Sequence, residues 1–191
     1  MKEITIFGKG NMGRAIGENF KTAGNNVNYI DVDDPVENIG SIIILAVPYN
    51  VALKIAKTNR ALFVGTTVID ITNPLDFDTW DNLVVPADSS AAAQIANELP
   101  DSKVVKGFNT TFAATLISKK IGGEHQTTVQ LASDHDDAKQ AIISALKGSG
   151  LAVLDSGKLR RARELEAFGF LQMTLAASEK ITWNGGFGVF N

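Results

Sequence analysis

The sequence predicts an α/β fold: a doubly wound, mostly parallel sheet with a small C-terminal helical part. Short apolar runs alternate with helical patterns along almost all of the 191 residues, as expected when helices cross between parallel strands. Two of these runs, residues 2–7 and 41–47, lack clean alternation of polar and apolar positions. Such runs are typical of strands that are covered on both faces. A glycine turn and a helical pattern follow the first run, so the chain opens with a βα unit.

The composition excludes several classes of function. The chain has no cysteine, which rules out disulfides, thiol nucleophiles and cysteine-ligated zinc. Its net charge of −3 provides no basic field for nucleic acid or for an anionic membrane. The longest apolar stretch, residues 42–47, is far too short to span a bilayer, and the N-terminus lacks a signal-peptide pattern. We therefore expect a cytoplasmic protein.

The opening turn reads FGKGNMG, a GxGxxG pattern between the predicted strand and a predicted helix over residues 11–23. Here the first glycine allows a tight bend, the second lets the backbone approach a pyrophosphate, and the third lets the helix pack on the sheet. The free N–H groups of the helix start then face an anion. The alternative is a glycine-rich turn that binds nothing, but its flanking elements favour a Rossmann-type dinucleotide site. The predicted cofactor-binding residues of this turn are Gly8, Gly10, Asn11, Met12 and Gly13.

A second strand is predicted over residues 27–31, and Asp31 lies 18 residues after Gly13. This is close to the usual position of the acid that binds an adenine ribose. The alternative is a solvated turn residue, since Asp33 and Asp34 follow at once.

One βα unit of the fold is shortened. Nine residues, 32–40, separate Asp31 from the next strand, too few for a crossover helix and a further strand. They can span about 30 Å when extended, enough to cross roughly 20 Å to the far side of the first strand. The second strand then becomes an exposed sheet edge beside a more open adenine site. A partner in a homodimer could cover this edge.

Polar loops follow three further predicted strands, at the edge of an open sheet where ligands collect. The motif AVPYN follows strand 41–47, with Asn50 as the cap of a helix over residues 51–57, and Asn73-Pro74 follows strand 66–72. A helix capped by Ser89 or Ser90 leads to strand 103–106, and the loop containing Asn109 follows. The remaining predicted elements are strand 127–132, helix 134–147, strand 151–154 and helix 159–178.

Other clusters of polar and aromatic residues are better explained by structural roles than by catalysis or metal binding. His135 lies in SDHDDAK, where Ser133 and Asp136 have the spacing of a helix capping box, so we predict no metal site. Basic residues 158–163 stand beside Glu164 and Glu166, which favours a solvated, ion-paired helix start over a phosphate site. The tail TWNGGFGVFN is either a flap on the substrate side or an aromatic plug of the core. No hydrolytic motif is present, and we assign no catalytic acid or base.

Taken together, several runs resemble the coenzyme F420-dependent NADP oxidoreductase family. They occur in the expected order and are IFGKGNMGRAIG, IIILAVPYN, VIDITNPL, SSAAAQIANELPDSKVVKGFNT and LAVLDSGKLRRARELEAF. The resemblance implies a dinucleotide-binding domain over residues 1–157 and a C-terminal helix and tail over residues 158–191. It also implies that Ala46, Val47 and Pro48 pack by the nicotinamide. Pro48, Asn73, Pro74 and Asn109 would line the hydride-transfer cleft.

The chain departs from the family at the adenine end. Family members place Ser-Arg or Thr-Arg after the second strand to hold the 2′-phosphate of NADP, whereas this chain has Asp31 and Val32. A carboxylate repels that phosphate, so the charge favours NAD(H) while the resemblance implies NADP.

The function expected from these features is hydride transfer between NAD(P)H and a second redox cofactor or small acceptor, such as a flavin or deazaflavin. Pyrroline-carboxylate reductases and β-hydroxyacid dehydrogenases have similar opening turns, but they append a large helical domain that this chain lacks. Short-chain dehydrogenases need a Tyr-x-x-x-Lys pair, which is absent. The alternative is a non-catalytic NAD(P)-binding sensor or regulatory module.

Overall fold

The structure is a computed structural model that describes residues 1–31 and 34–190. Within these residues the chain forms a seven-stranded sheet and a separate two-stranded hairpin. The strands are β1 (Glu3–Phe7), β2 (Asn26–Ile30), β3 (Ile42–Leu45), β4 (Thr67–Asp70), β5 (Lys103–Gly107), β6 (Lys120–Ile121), β7 (His125–Gln126), β8 (Thr128–Ala132) and β9 (Ala152–Asp155). The helices are α1 (Asn11–Thr22), α2 (Tyr49–Thr58), α3 (Ala91–Glu98), α4 (Ala113–Ser118), α5 (Asp136–Leu146) and α6 (Ala162–Ala177).

The sheet has the order β2-β1-β3-β4-β5-β8-β9. Its neighbouring strands run parallel except for β5 and β8, which are antiparallel. The predicted doubly wound, mostly parallel α/β fold is therefore confirmed. Strand β3 pairs with β1 on the side opposite to β2, so the shortened unit leaves β2 at the edge of the sheet, as predicted. The chain reverses its direction across the sheet at β1, where open α/β sheets bind ligands.

Two apolar clusters cover the two faces of the sheet. Successive side chains of β3 alternate between them: Ile42 and Ile44 join the cluster formed with α1, α4 and α5, whereas Ile43 and Leu45 join the cluster formed with α2 and α3. All four side chains are buried. The isoleucine-rich run thus has no polar alternation because neither face meets water.

Two predicted helix starts are wrong. Helix α2 begins at Tyr49 because the Pro48 carbonyl accepts the N–H of Ala52 at 2.9 Å, so Asn50 lies inside the helix and caps nothing. The capping box before α5 does not form, since the Ser133 hydroxyl donates to the Val104 carbonyl at 2.6 Å and His135 occupies the cap position. Ser90 does cap α3, and its side chain accepts the Ala93 N–H at 3.0 Å.

Several features at the C-terminal side differ from the predicted pattern. The predicted long helix opens with a 3₁₀ turn over Leu159–Arg161 before α6. The β6-β7 hairpin was not predicted, because two-residue strands leave no periodic signal. Arg161 and Lys158 pair with Glu164 and Asp136 at 3.4 and 3.9 Å, which agrees with an ion-paired helix start. The domain boundary at residue 157 stays a prediction.

Buried charges join α6 to the sheet. The Lys106 ammonium is fully buried and lies 2.8 Å from both the Asp70 and the Glu166 carboxylates, and it also donates to the Thr72 carbonyl. Asp70 and Lys106 are register partners on β4 and β5, while Glu166 comes from α6. The prediction that Glu166 is solvated is therefore wrong. Its carboxylate also accepts the N–H groups of Ala91 and Ala92, at 2.8 and 3.2 Å, at the start of α3.

The pKa values of this network reflect burial and mutual charge. Burial opposes the charged form of Lys106, but Asp70 and Glu166 raise the pKa of its ammonium above the ordinary value. Burial raises the pKa of Glu166, and the nearby Asp70 carboxylate adds to this effect against the attraction of Lys106. Lys106 therefore stays charged at neutral pH and holds two carboxylates that would otherwise repel each other.

Among residues 1–31 and 34–190, no helix is both long enough and apolar enough to cross a membrane. The cytoplasmic location stays a prediction.

Replacement of Lys106 by Met should cost about 3–5 kcal/mol in the free energy of unfolding, because Asp70 and Glu166 would remain buried without their cation. Lys103→Met is the matched control, since Lys103 lies on the same strand but pairs with Asp137 at the surface. We expect it to cost less than about 1 kcal/mol. Urea unfolding followed by circular dichroism measures both losses, and equal losses would contradict the structural role of Lys106.

Candidate active site

A cleft with a volume of about 1060 Å³ lies at the carboxyl ends of β1, β3, β4 and β5. Residues from well-separated parts of the chain line it, from the glycine turn through the loops after β3, β4 and β5 to α4, α6 and the tail. The lining residues are Gly10, Asn11, Met12, Arg14, Ala46, Val47, Pro48, Tyr49, Ile71, Thr72, Asn73, Phe77, Asn109, Thr111, Phe112, Ala113, Ala114, Ile117, Met173 and Trp183.

The three glycines of the opening turn play different structural parts. Gly8 has a φ of +104°, and a Cβ there would collide with the Ala46 carbonyl oxygen. A Cβ at Gly13 would collide with the Gly8 carbonyl oxygen and lie 3.4 Å from the Ala46 side chain. Gly10 has a φ of −71°, and a Cβ there would meet no atom within 4 Å. Gly8 and Gly13 therefore let the turn pack closely on β3, whereas Gly10 leaves space open toward the cleft.

The start of α1 offers unpaired backbone donors to this space. Gly10 is the cap residue, and its carbonyl accepts the Arg14 N–H at 3.0 Å, but no side chain caps the helix. The first turn of α1 contains no acidic residue. Its N–H groups and the positive end of the helix dipole are therefore available to an anion. The Arg14 guanidinium, which the sequence argument missed, donates to the Lys9 carbonyl at 2.8 Å and adds positive charge to this end of the cleft.

The loops after β4 and β5 meet as a pair of asparagines. The Asn73 amide donates to the Asn109 carbonyl, and the Asn109 amide donates to the Asn73 side-chain oxygen, each at 2.9 Å. Asn109 also donates to the Leu165 carbonyl of α6 at 2.8 Å. Gly169 makes this approach of α6 feasible, because a Cβ there would lie 2.5 Å from the Asn73 oxygen. Both asparagines line the cleft, while their role toward a ligand stays a prediction.

Tyr49 is a further cleft residue that the sequence argument did not identify. Burial raises the pKa of its phenol, and the Glu166 and Asp70 carboxylates raise it further. The phenol therefore keeps its proton at neutral pH. Arg14 and Tyr49 are the titratable side chains among the described residues that line the cleft. A signal for Tyr49 was present, since it directly follows Pro48 at the start of a helix.

The residues predicted to lie at the adenine end are found beside β2. The Lys9 ammonium lies 3.9 Å from the Asp31 carboxylate and 2.9 Å from that of Asp34, and Asp34 accepts the Asp31 N–H at 2.8 Å. This N–H and the Lys9 ammonium hold the pKa of Asp34 below its ordinary value. Two carboxylates thus share one lysine here. The sequence predicts Val32 at the 2′-phosphate position and Asp33 in the turn. Both residues lie outside the described residues.

The remaining predicted site residues divide clearly. Gly10, Asn11, Met12, Ala46, Val47 and Pro48 come together in the cleft with Asn73 and Asn109. Gly8, Gly13, Asp31 and Pro74 do not line it. The Pro74 carbonyl instead accepts the Val84 N–H at 2.7 Å.

The tail does not plug the core, because the Phe187 and Phe190 side chains are 38% and 69% exposed. The Trp183 ring lines the cleft and packs edge-on against Phe112, with centroids 4.8 Å apart. Phe187 and Phe190 instead pack on Phe168 and His125, at 4.8 and 4.9 Å. Asn191 lies outside the described residues. Trp183 is thus the part of the tail that reaches the site.

No protein-family model matches the chain. The F420-dependent NADP reductase of Methanocaldococcus jannaschii is 29% identical over 132 residues, which are 67% of this chain and 58% of that protein. A crystal structure from Arthrobacter sp. FB24, provisionally described as an F420-dependent NADP reductase, matches all of this chain with a TM-score of 0.85 and 22% identity. The chain therefore resembles the F420-dependent NADP reductases, as its motifs predict. The structural match supports the fold, since its sequence identity is low.

A second group of relatives shares part of the chain. The human metalloreductase STEAP2 is 31% identical over 107 residues, which are 56% of this chain and 20% of that protein. The chain thus spans less than two thirds of the length of the curated relatives that it matches. The oxidoreductase activity named for both groups is therefore a proposal for this chain.

The contrast between Gly10 and Gly13 predicts that alanine destabilises the protein at Gly13 much more than at Gly10. Gly13→Ala should lower the free energy of unfolding by about 1–3 kcal/mol, because its methyl group would press on the Gly8 backbone. Gly10→Ala should change it by less than about 0.5 kcal/mol, since its methyl group enters open space. Thermal or urea unfolding of the two variants checks this, and a larger loss for Gly10→Ala would refute the geometry of the turn.

Proposed function

We propose that the chain is an oxidoreductase that binds a nicotinamide dinucleotide, NAD or NADP, along this cleft. It would transfer a hydride between the nicotinamide and a second redox cofactor or small acceptor, such as a flavin or deazaflavin. The observation that carries the proposal is the open space at Gly10, next to the uncapped start of α1 and continuous with the cleft. A glycine is required there only if something else approaches the backbone.

The parts of a dinucleotide can each be assigned to a group of residues that line the cleft. The N–H groups near Gly10, Asn11 and Met12 would hold the pyrophosphate, and Arg14 would add a cation. Ala46, Val47 and Pro48 would form an apolar wall for the nicotinamide. Asn73 and Asn109 border the same space from the neighbouring loops, as the resemblance implies.

Hydride transfer needs little from the protein beyond the correct positions of the two reacting rings. A bound reduced nicotinamide would supply the hydride, so the side chains must align two rings and exclude water. The apolar lining serves both needs. The Tyr49 phenol, which keeps its proton at neutral pH, is available as a hydrogen-bond donor to a carbonyl or ring nitrogen of a bound ring.

Assembly as a homodimer extends the proposal. Strand β2 forms an edge of the sheet, and pairing of two copies along this edge would satisfy its outward N–H and C=O groups. We therefore keep the homodimer as a proposal, which the mass measured in solution by light scattering tests directly.

Gly10→Asp should fold normally and lose dinucleotide binding. Its Cβ has room, but its carboxylate would occupy the pyrophosphate position at the N-terminus of α1. Gly10→Ala is the matched control, because it adds a methyl group without charge. Nicotinamide fluorescence titration of folded samples measures both affinities, and unchanged affinity in Gly10→Asp would refute the assignment of the glycine turn.

Parallel titration with NADH and NADPH should show tighter binding of NADH. The extra phosphate of NADPH would meet the Asp31 and Asp34 carboxylates, and like charges repel. Asp31→Asn should improve NADPH binding relative to NADH by about tenfold, on the order of one strong charge contact. Tighter binding of NADPH to the unaltered chain would mean that Lys9 or Arg14 holds the 2′-phosphate.

Turnover separates the enzyme from the sensor alternative. Oxidation of NADH or NADPH with FMN, FAD or a quinone supports the oxidoreductase. Tight binding without turnover by any of these acceptors would favour a regulatory module.

A further inference from the structure

The lining of the cleft contains two chemically different groups of residues. The glycine turn contributes backbone donors and Arg14. The second group, called the apolar end, consists of large apolar side chains that come from the loop after β4, from α4, from α6 and from the tail. These side chains are Phe77, Phe112, Ile117, Met173 and Trp183.

No lysine, aspartate, glutamate or histidine is found among the described residues that line the cleft. Arg14 is their single charged side chain, and it belongs to the glycine-turn group through its bond to the Lys9 carbonyl. A phosphate or carboxylate tail that contacts the apolar end would therefore give up part of its hydration without gaining a cation from the lining, which is unfavourable. The charge distribution disfavours an anionic ligand at this end.

The apolar end also leaves much aromatic and aliphatic surface in water. Phe77 is 52% exposed, Ile117 is 66% exposed and Trp183 is 48% exposed. Large apolar side chains that converge on one cleft mark a binding surface more often than scattered ones do. The Trp183 ring is braced edge-on by Phe112, which fixes an aromatic surface at the mouth of the cleft. A flat ring would bury this surface by stacking.

We propose that the second substrate is an uncharged, planar two-electron acceptor ring that stacks against Trp183. This inference rests on the proposed function, because it assigns the acceptor of the same cleft. Reduced nicotinamide gives one hydride to the ring, solvent gives one proton, and the products are oxidised nicotinamide and the dihydro form of the acceptor. Riboflavin and simple quinones belong to this class, whereas phosphate-tailed or carboxylate-tailed rings are disfavoured.

Riboflavin and FMN form the first test, because they share one ring system and differ by a phosphate. With saturating NADH or NADPH, kcat/KM for riboflavin should exceed that for FMN by about fivefold, on the order of one surface charge contact. Menadione, an uncharged quinone, distinguishes a flavin ring from a quinone ring within the class. A clear preference for FMN would overturn the inference.

Trp183→Ala, Trp183→Phe and Phe190→Ala form the second test. Loss of the stacking surface in Trp183→Ala should raise KM for the acceptor by about tenfold, while Trp183→Phe should retain most of the affinity. Phe190→Ala is the matched control, since Phe190 lies in the same tail but packs on His125 outside the cleft lining. Equal effects of Trp183→Ala and Phe190→Ala on KM would overturn the role of Trp183.

A gain-of-function variant gives the sharpest result. Ile117 is exposed at the apolar end, so Ile117→Lys would place a cation there without disturbing the core. We expect it to raise kcat/KM for FMN relative to riboflavin by about fivefold. An unchanged ratio would overturn the placement of the acceptor at this end.

Dinucleotide affinity shows whether the proposed function has failed or the inference alone. If neither NADH nor NADPH binds, the proposed function fails and the inference falls with it. If either binds with turnover but FMN is preferred, only the inference fails.

Discussion

The buried ammonium of Lys106 joins parts of the chain that are far apart in sequence. It neutralises Asp70 on the adjacent strand and Glu166 on the last helix, and burial of either carboxylate without it would be strongly unfavourable. Glu166 in turn accepts two backbone N–H groups at the start of α3. One cation thus fixes two strands and two helices relative to one another. The position of α6 depends on this network as well as on its apolar contacts.

The cleft inherits its shape from the same network. Lys106 donates to the carbonyl of Thr72, which lines the cleft just before Asn73. Helix α6 brings the Leu165 carbonyl to the Asn109 amide, and its Met173 reaches the cleft beside Asn73, whose amide lies 3.4 Å from the Met173 sulfur. The floor of the cleft is therefore held by hydrogen bonds, whereas side chains of its apolar end are exposed to solvent. This division suits a site that holds one ligand firmly and exchanges another.

Local patterns were sufficient to predict the strands of the seven-stranded sheet, the glycine turn and the shortened unit, because each depends on neighbouring residues. Asp70 and Lys106 each stand out as a charge at a buried strand position, and their pairing could have been inferred from the adjacency of their strands. Glu166 could not, because its partner lies 60 residues earlier and its local sequence is that of a charged helix start. Trp183 reaches the cleft through tertiary packing, which no periodicity records, whereas Tyr49 had a local signal in its position directly after Pro48.

The place of Glu166 after all the strands of the sheet also orders events during synthesis. Strands β1 to β5 leave the ribosome first, and their local contacts can form while translation continues. The Asn109 amide and the start of α3 gain their α6 partners only after Leu165 and Glu166 have emerged. A nascent chain that has completed the glycine turn therefore still lacks a finished cleft. The cleft is completed only once α6 has been made and can pack on the sheet.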